Sequence, residues 1–171
     1  SESDPRVRVF RMSKNIGRTP ALRFGFDQAL GEYIAVLDSD DISHKERMAR
    51  QVKYLEQHPD VVLVGSWVEY INETGQVLSK YSPPTEEDKI IEFLGSGNIF
   101  THSSVIYRKE AASAVGGYPV QFSYAQDFGL VLELVQKGKL AIIDEYLCKF
   151  RLLKGSMTTS NRYRIDVPKD K

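Results

Sequence analysis

The sequence has a single cysteine, no excess of either charge and no long apolar run. One cysteine, Cys148, can form neither an internal disulfide nor a zinc site built from cysteines; it fits a reducing compartment. Lysine plus arginine total 23, and aspartate plus glutamate total 23. That balance argues against a domain built on attraction to polyanions, so no nucleic-acid partner is expected. The longest apolar stretch, Val61 to Val68, is broken by Gly65 and Ser66. It falls far short of the roughly 20 residues that span a bilayer. Internal repeats and low-complexity tracts are also missing.

What the 171 residues do contain is an alternation of strand and helix patterns within the length of one ordinary domain. Val7 to Phe10 reads as a short strand. Thr19-Pro20 reads as a helix start, with Leu22, Phe26 and Ala29 on one face and Gly31 as the stop. Tyr33 to Leu37 is nearly continuous apolar, the pattern of a strand covered on both faces. Ser43 and Glu46 have capping-box spacing, and Met48, Val52 and Leu55 suggest the buried face of the following helix. Val61 to Ile71 reads as a long strand, turned at 72–75 into an antiparallel return over Val77-Leu78. A short helix follows Thr85 with Ile90, Ile91 and Leu94 inward. Then come a strand at Ser104 to Tyr107, helices at 109–115 and 126–137, and short strands at 141–143 and 147–150. The tail after Arg151 is polar.

Asp38-Ser39-Asp40 directly follows the apolar strand. In extended backbone, residues i and i+2 face the same side, which would bring two carboxylates together at the carboxyl end of a strand. Open α/β sheets bind their ligands there. Carboxylates without His or Cys favour hard cations such as Mg²⁺ or Mn²⁺, which complete their shells with water and substrate phosphates. Asp38, Asp40 and Asp41 are also ordinary turn and cap residues, so this reading stands beside a purely structural one.

The surrounding residues sharpen the choice. Asn15-Ile16-Gly17, Ala29 to Ala35 and Leu37 to Asp41 resemble the middle of the family 2 glycosyltransferases. Arg47 and Gln51-Val52 match the helix after the D-x-D. His102-Ser103-Ser104-Val105 with Arg108, Val115-Gly116-Gly117-Tyr118, Ala125 to Leu130 and Leu147 to Arg151 match later segments in order. The resemblance covers roughly residues 5 to 160. It departs at Gln126, where the family has Glu, at Gly129, where it has a second Asp, and at Glu133, where Arg is common.

The resemblance implies a partial GT-A fold: an α/β domain with a mixed, mostly parallel sheet flanked by helices. It implies an inverting glycosyltransferase that moves a sugar from a nucleotide diphosphate donor, a UDP-sugar in the first instance, to an acceptor hydroxyl. The acceptor would be a saccharide or lipid-linked molecule, and the pathway surface polysaccharide synthesis. Asp127 would be the catalytic base. Asp40 and Asp38 would bind the donor and hold Mn²⁺ or Mg²⁺. Gln126, His102 and Arg151 are candidates for acceptor or phosphate contacts. His102 can equally be a buried hydrogen-bonding histidine, Arg151 a surface pair, Asp127 a helix cap and Trp67 a core residue rather than a sugar platform.

The family's first nucleotide-binding strands have no counterpart here, so residues 1–160 are expected to form part of a catalytic domain, with 161–171 a polar tail. Alone, such a piece is expected to be inactive and to self-associate through an open sheet edge. The parent would be cytoplasmic, peripheral at the inner membrane face. Two other readings compete. A non-catalytic carbohydrate-binding or assembly domain would share the fold. A haloacid-dehalogenase-type phosphatase would share the D-x-D, but Asp41-Ile42 does not continue its motif.

Overall fold

The run Val61 to Val64 supplies β-branched and apolar side chains to a strand that is buried at each of its first six positions. This strand, β3 (Val61–Ile71), is the spine of the computed structural model, which describes residues 4–121 and 125–153. In chain order it is preceded by α1 (Arg18–Gln28), β1 (Tyr33–Ala35), β2 (Ile42–Ser43) and α2 (Arg47–Gln57). After it come β4 (Val77–Tyr81), α3 (Glu87–Leu94), a 3₁₀ turn (His102–Ser104) and β5 (Ile106–Arg108). The remaining elements are α4 (Lys109–Ala114), α5 (Gln126–Leu134) and β6 (Lys139–Arg151). The expected tail at 161–171 lies outside the described residues.

The strands form one sheet in the order β1-β5-β3-β6-β2, with β4 paired to the distal half of β3. The sheet is mixed, as expected, but it is not mostly parallel. Only β3 and β6 run parallel, along nearly their whole length. The other four pairings are antiparallel. The two short strands expected at 141–143 and 147–150 are one continuous element, β6. Its partner β3 is 11 residues long against the 13 of β6, and the pairing steps past the polar residues Asp144 and Glu145 with a shift of register: Ser66 pairs with Ile143 and Trp67 with Tyr146.

Two apolar clusters hold the sheet. One collects Phe26 of α1, Ile90 and Leu94 of α3, Ala112 of α4 and Leu130, Val131 and Leu134 of α5 around Leu63, Tyr107, Leu140 and Ile142. The other seats Leu55 of α2 on Val61, Val64, Ile106 and Ala141. Gly138 lets β6 begin against β3: a Cβ there would fall 2.5 Å from Val62 Cγ1 and 2.7 Å from the Asp60 carbonyl.

Several local expectations fail, among them Ile91 of α3, which is exposed rather than inward. Val7 to Phe10 form no strand, and Val9 is 70% exposed. β1 is a three-residue edge strand with Ala35 exposed, rather than a strand covered on both faces. On α2, Met48 is exposed and the buried face is Arg47, Gln51 and Leu55. Ser43 does not cap α2. It lies in β2, and its hydroxyl accepts from Arg47 Nε at 2.9 Å.

Candidate active site

Beyond β1 the chain turns instead of continuing extended. The Asp41 N–H donates to the Asp38 carbonyl at 3.2 Å, closing a turn over Asp38-Ser39-Asp40-Asp41. The two leading carboxylates therefore have different surroundings. Asp38 is half-buried. Its N–H donates to Ser103 Oγ at 3.0 Å, and its Oδ2 accepts from Arg18 Nη2 at 2.8 Å. His102 Nδ1 stands 3.8 Å from Asp38 Oδ1. The His102 ring, followed by the Arg18 charge, holds the Asp38 carboxyl below its ordinary range, against the opposing effect of burial. Asp40 is exposed, and among the described residues its carboxylate makes no hydrogen bond or ion pair.

A buried polar layer supports this turn. Arg47 is 1% exposed, and its guanidinium donates to Ser43 Oγ, Gln51 Oε1 and the Val36 carbonyl at 2.9, 3.3 and 3.0 Å. Burial pushes its guanidinium below its ordinary value. Gln51, fully buried, donates to the carbonyls of Val64 and Ser104 at 3.1 and 2.7 Å. A buried donor left unpaired would cost about 1–3 kcal/mol. These bonds therefore fix α2 to the end of β1, to β3 and to the 3₁₀ turn that carries His102.

Asp127 comes from another direction, in the first turn of α5. Gln126 before it is 3% exposed, and Ala125 has φ 54°, a left-handed backbone that is costly for a residue with a Cβ. Asp127 Oδ2 accepts from Asn98 Nδ2 at 3.1 Å. His102, Tyr107, Tyr118, Asn98 and Asp127 line one pocket whose apolar wall includes Leu63, Phe100 and Leu130. His102 Nε2 is 2.9 Å from Tyr118 Oη, to which Tyr107 Oη donates at 3.4 Å. Burial pushes the Tyr118 hydroxyl up to about 12.

His102 is thus the shared residue. One ring nitrogen faces Asp38 and Arg18, and the other faces Tyr118 in the Asp127 pocket. Arg151, considered from the sequence as a diphosphate contact or surface pair, has its guanidinium on the main chain. Nε donates to the Asp40 carbonyl at 2.8 Å, and Nη1 donates to those of Asn72 and Glu73 at 2.9 and 3.0 Å. Trp67 packs against the larger apolar cluster and donates its indole N–H to the Pro83 carbonyl at 3.0 Å. Arg18 and Asn98 were not singled out from the sequence. Arg18 directly follows the Asn15-Ile16-Gly17 segment and Asn98 lies in a loop without a motif; only the fold brings them to the site.

Among the described residues, no group of three or more His, Cys, Asp or Glu side chains converges. A cation held here would take at most the carboxylates of Asp40 and Asp38. That donor set suits Mg²⁺ or Mn²⁺ beside phosphate oxygens, and not zinc. The open carboxylate of Asp40 fits this role, and Asp38 already balances its charge against Arg18.

Residues 1–116 match the family model described as glycosyl transferase family 2. The amylovoran biosynthesis glycosyltransferase AmsE of Erwinia amylovora is 33% identical over 144 residues, which cover 84% of this chain and 53% of that protein. The chain spans about half the length of the curated relatives it matches. The crystal structure of S. aureus TarS 1-349 in complex with UDP-GlcNAc superposes with a TM-score of 0.66 at 17% identity, covering 87% of this chain and 43% of that one. A mannosyltransferase from Pyrobaculum calidifontis, in complex with GDP-Man and Mn²⁺, gives a TM-score of 0.58 at 17% identity, covering 84% of this chain and 39% of that one. The fold is therefore that of part of a GT-A glycosyltransferase.

Proposed function

Because the chain belongs to glycosyl transferase family 2, we propose that the turn at Asp38–Asp40 holds the diphosphate of a nucleotide-sugar donor and that Asp127 deprotonates the acceptor. The observation that carries this reading is His102, which joins the two sites: 3.8 Å from Asp38 on one side and 2.9 Å from Tyr118 on the other. Donor and acceptor chemistry have to meet at such a point.

The acceptor hydroxyl attacks the anomeric carbon, and the bond from that carbon to the diphosphate oxygen breaks. The hydroxyl proton passes to an Asp127 oxygen, and the nucleoside diphosphate leaves with the bonding electron pair. Direct displacement of this kind inverts the anomeric centre. A sugar hydroxyl is a poor nucleophile until a positioned base takes its proton, an effect of about 10²–10⁴ in rate. Asp40 and Asp38 would hold Mn²⁺ or Mg²⁺, which when bound stabilises negative charge on the departing diphosphate. Arg18 holds Asp38 in place, and Tyr118 and His102 orient the acceptor side.

The donor class is a nucleotide sugar, with UDP-sugars first. The relatives with nucleotide sugar in their structures support this class, as UDP-GlcNAc and GDP-Man occupy two of them. The acceptor is a saccharide or lipid-linked saccharide. A role in surface polysaccharide synthesis takes support from the similarity to AmsE, an amylovoran biosynthesis glycosyltransferase. No helix among the described residues is long and apolar enough to cross a membrane. The outer edge of β1 has no strand partner among the described residues, so the 171-residue chain alone is expected to associate through it. Alone it is also expected to bind donor weakly and turn none over.

The test is sugar transfer by the full-length protein from a panel of UDP-sugars with Mn²⁺. Asp127→Asn is expected to lower kcat by about 10²-fold or more with donor binding retained. Asp40→Ala is expected to abolish the metal dependence. Full activity in Asp127→Asn would overturn the base assignment, and unchanged metal dependence in Asp40→Ala would overturn the donor-site assignment.

A further inference from the structure

Asn98 lies in the loop between α3 and the 3₁₀ turn, and its side-chain amide has one possible orientation. The main-chain N–H of Phe100 donates to Asn98 Oδ1 at 3.0 Å. An N–H can meet only the oxygen of an amide, so the NH₂ group must face the other way. There it donates to Asp127 Oδ2 at 3.1 Å. The anchor itself is rigid. Phe100 is 5% exposed, and its ring packs over Gly65 of β3, where a Cβ would fall 2.8 Å from the ring Cδ1. Ile99, equally buried, belongs to the same apolar cluster as Phe100.

We infer that Asn98 is a positioning residue for the base: it pins one oxygen of Asp127 and presents the other to the acceptor hydroxyl. This rests on the assignment of Asp127 as base. An amide NH₂ is a donor only, so it pairs with an unprotonated carboxylate oxygen and competes with none of the proton-accepting capacity of the second oxygen. Among the described residues, no other side chain hydrogen-bonds to Asp127. Without Asn98 the carboxylate is free to rotate within the pocket. A base that must lie within hydrogen-bond reach of one hydroxyl loses rate steeply when it is misplaced. In the transfer step the proton moves from the acceptor oxygen to Asp127 Oδ1, while Oδ2 remains on Asn98.

The test uses the full-length protein and compares Asn98→Ala, Asp127→Asn and the double variant, with Asn98→Asp as a second probe. Asn98→Ala is expected to lower kcat about 10- to 100-fold, with the donor KM within twofold. The double variant is expected to be no slower than Asp127→Asn alone, because Asn98 acts only through Asp127. Asn98→Asp keeps the acceptor for the Phe100 N–H, and with it the loop, but sets a carboxylate against Asp127. Its kcat is expected to fall at least as far as that of Asn98→Ala. The acidic limb of its pH–rate profile is expected to move to higher pH. The other titratable groups lining this pocket, His102, Tyr107 and Tyr118, are unchanged in every variant. An Asn98→Ala enzyme with the parent kcat, or a double variant slower than Asp127→Asn, overturns the inference while leaving the base assignment intact. An Asp127→Asn enzyme at the parent rate overturns the base assignment itself.

Discussion

The main-chain N–H of Arg151 donates to Asp41 Oδ1 at 2.8 Å, and Arg151 Nε donates back to the neighbouring Asp40 carbonyl at 2.8 Å. The last residue of β6 thus grips the turn of the two candidate metal ligands from both its side chain and its backbone. Its Nη1 ties the same guanidinium to the β3–β4 turn at Asn72 and Glu73.

Replacing Arg151 with lysine keeps the charge and removes the planar fork. A point ammonium cannot reproduce bonds that diverge to three carbonyls. Each lost bond to a charged group is worth about 1.5–3 kcal/mol. Arg151→Lys in the full-length protein is expected to raise the Mn²⁺ concentration for half-maximal binding about tenfold, which corresponds to about 1.4 kcal/mol. Titration followed by electron paramagnetic resonance reads this directly. An unchanged Mn²⁺ affinity, with weakened metal-free binding of UDP, would return Arg151 to the role of a diphosphate contact.

Asp41 gives the pH prediction. Burial raises its carboxyl above the ordinary 3.8, outweighing Ser103 and the Arg151 N–H, and its Oδ2 is buried without a hydrogen-bond partner. Between 3.8 and the raised value the folded chain binds more protons than the unfolded chain. Stability from this group is therefore complete below 3.8 and is lost as pH rises through the raised value. Asp41→Asn, which retains an oxygen for the Arg151 N–H, is expected to have a higher urea midpoint than the parent at pH 7 without metal. The difference closes as pH falls toward 4. Asp38, with its lowered carboxyl, contributes in the opposite sense: its stability is present above 3.8 and lost as pH falls through the lowered value. It is common to both proteins and cancels. A lower midpoint for Asp41→Asn at pH 7 contradicts the prediction.

Two glycines separate packing from propensity. At Gly138 a Cβ would meet Val62 Cγ1 at 2.5 Å and the Asp60 carbonyl at 2.7 Å, so Gly138→Ala is expected to cost about 1–3 kcal/mol. At Gly25, inside α1, nothing lies within 4 Å of the added Cβ, so Gly25→Ala is expected to gain up to about 1 kcal/mol. Urea denaturation of the two variants measures both, and equal midpoints would contradict the close approach of β6 to β3.

Periodicity located most helices and the long strand, because Leu55, Ile90, Leu94, Leu130 and Leu134 sit at helical spacing and are buried. It failed on α2, where the apolar-face rule chose Met48. A fully buried arginine and glutamine occupy that face instead, held by carbonyls from three other elements. It failed again at Asp38–Asp40, where an extended backbone was assumed and a turn is present. Strand pairing was the least legible. A residue run shows that Val61 to Ile71 is a strand but not which neighbours it accepts, and four of the five pairings proved antiparallel. The pairing of Asp127 with Asn98 is separated by 29 positions and carries no local signature.

Strand β6 spans 13 residues, about 40 Å of extended chain. Its first residue follows α5, which carries Asp127, and its last is Arg151, on the Asp40 turn. It acts as a ruler from its seat beside Gly138 to the turn of the candidate metal ligands, and its graduations are the register against β3. A slip of one residue would turn Arg151 to the other face of the sheet and release the Asp40 turn. Damage at Gly138, where the strand is seated, would then be read at the far end as lost affinity for the cation, with no ligand touched.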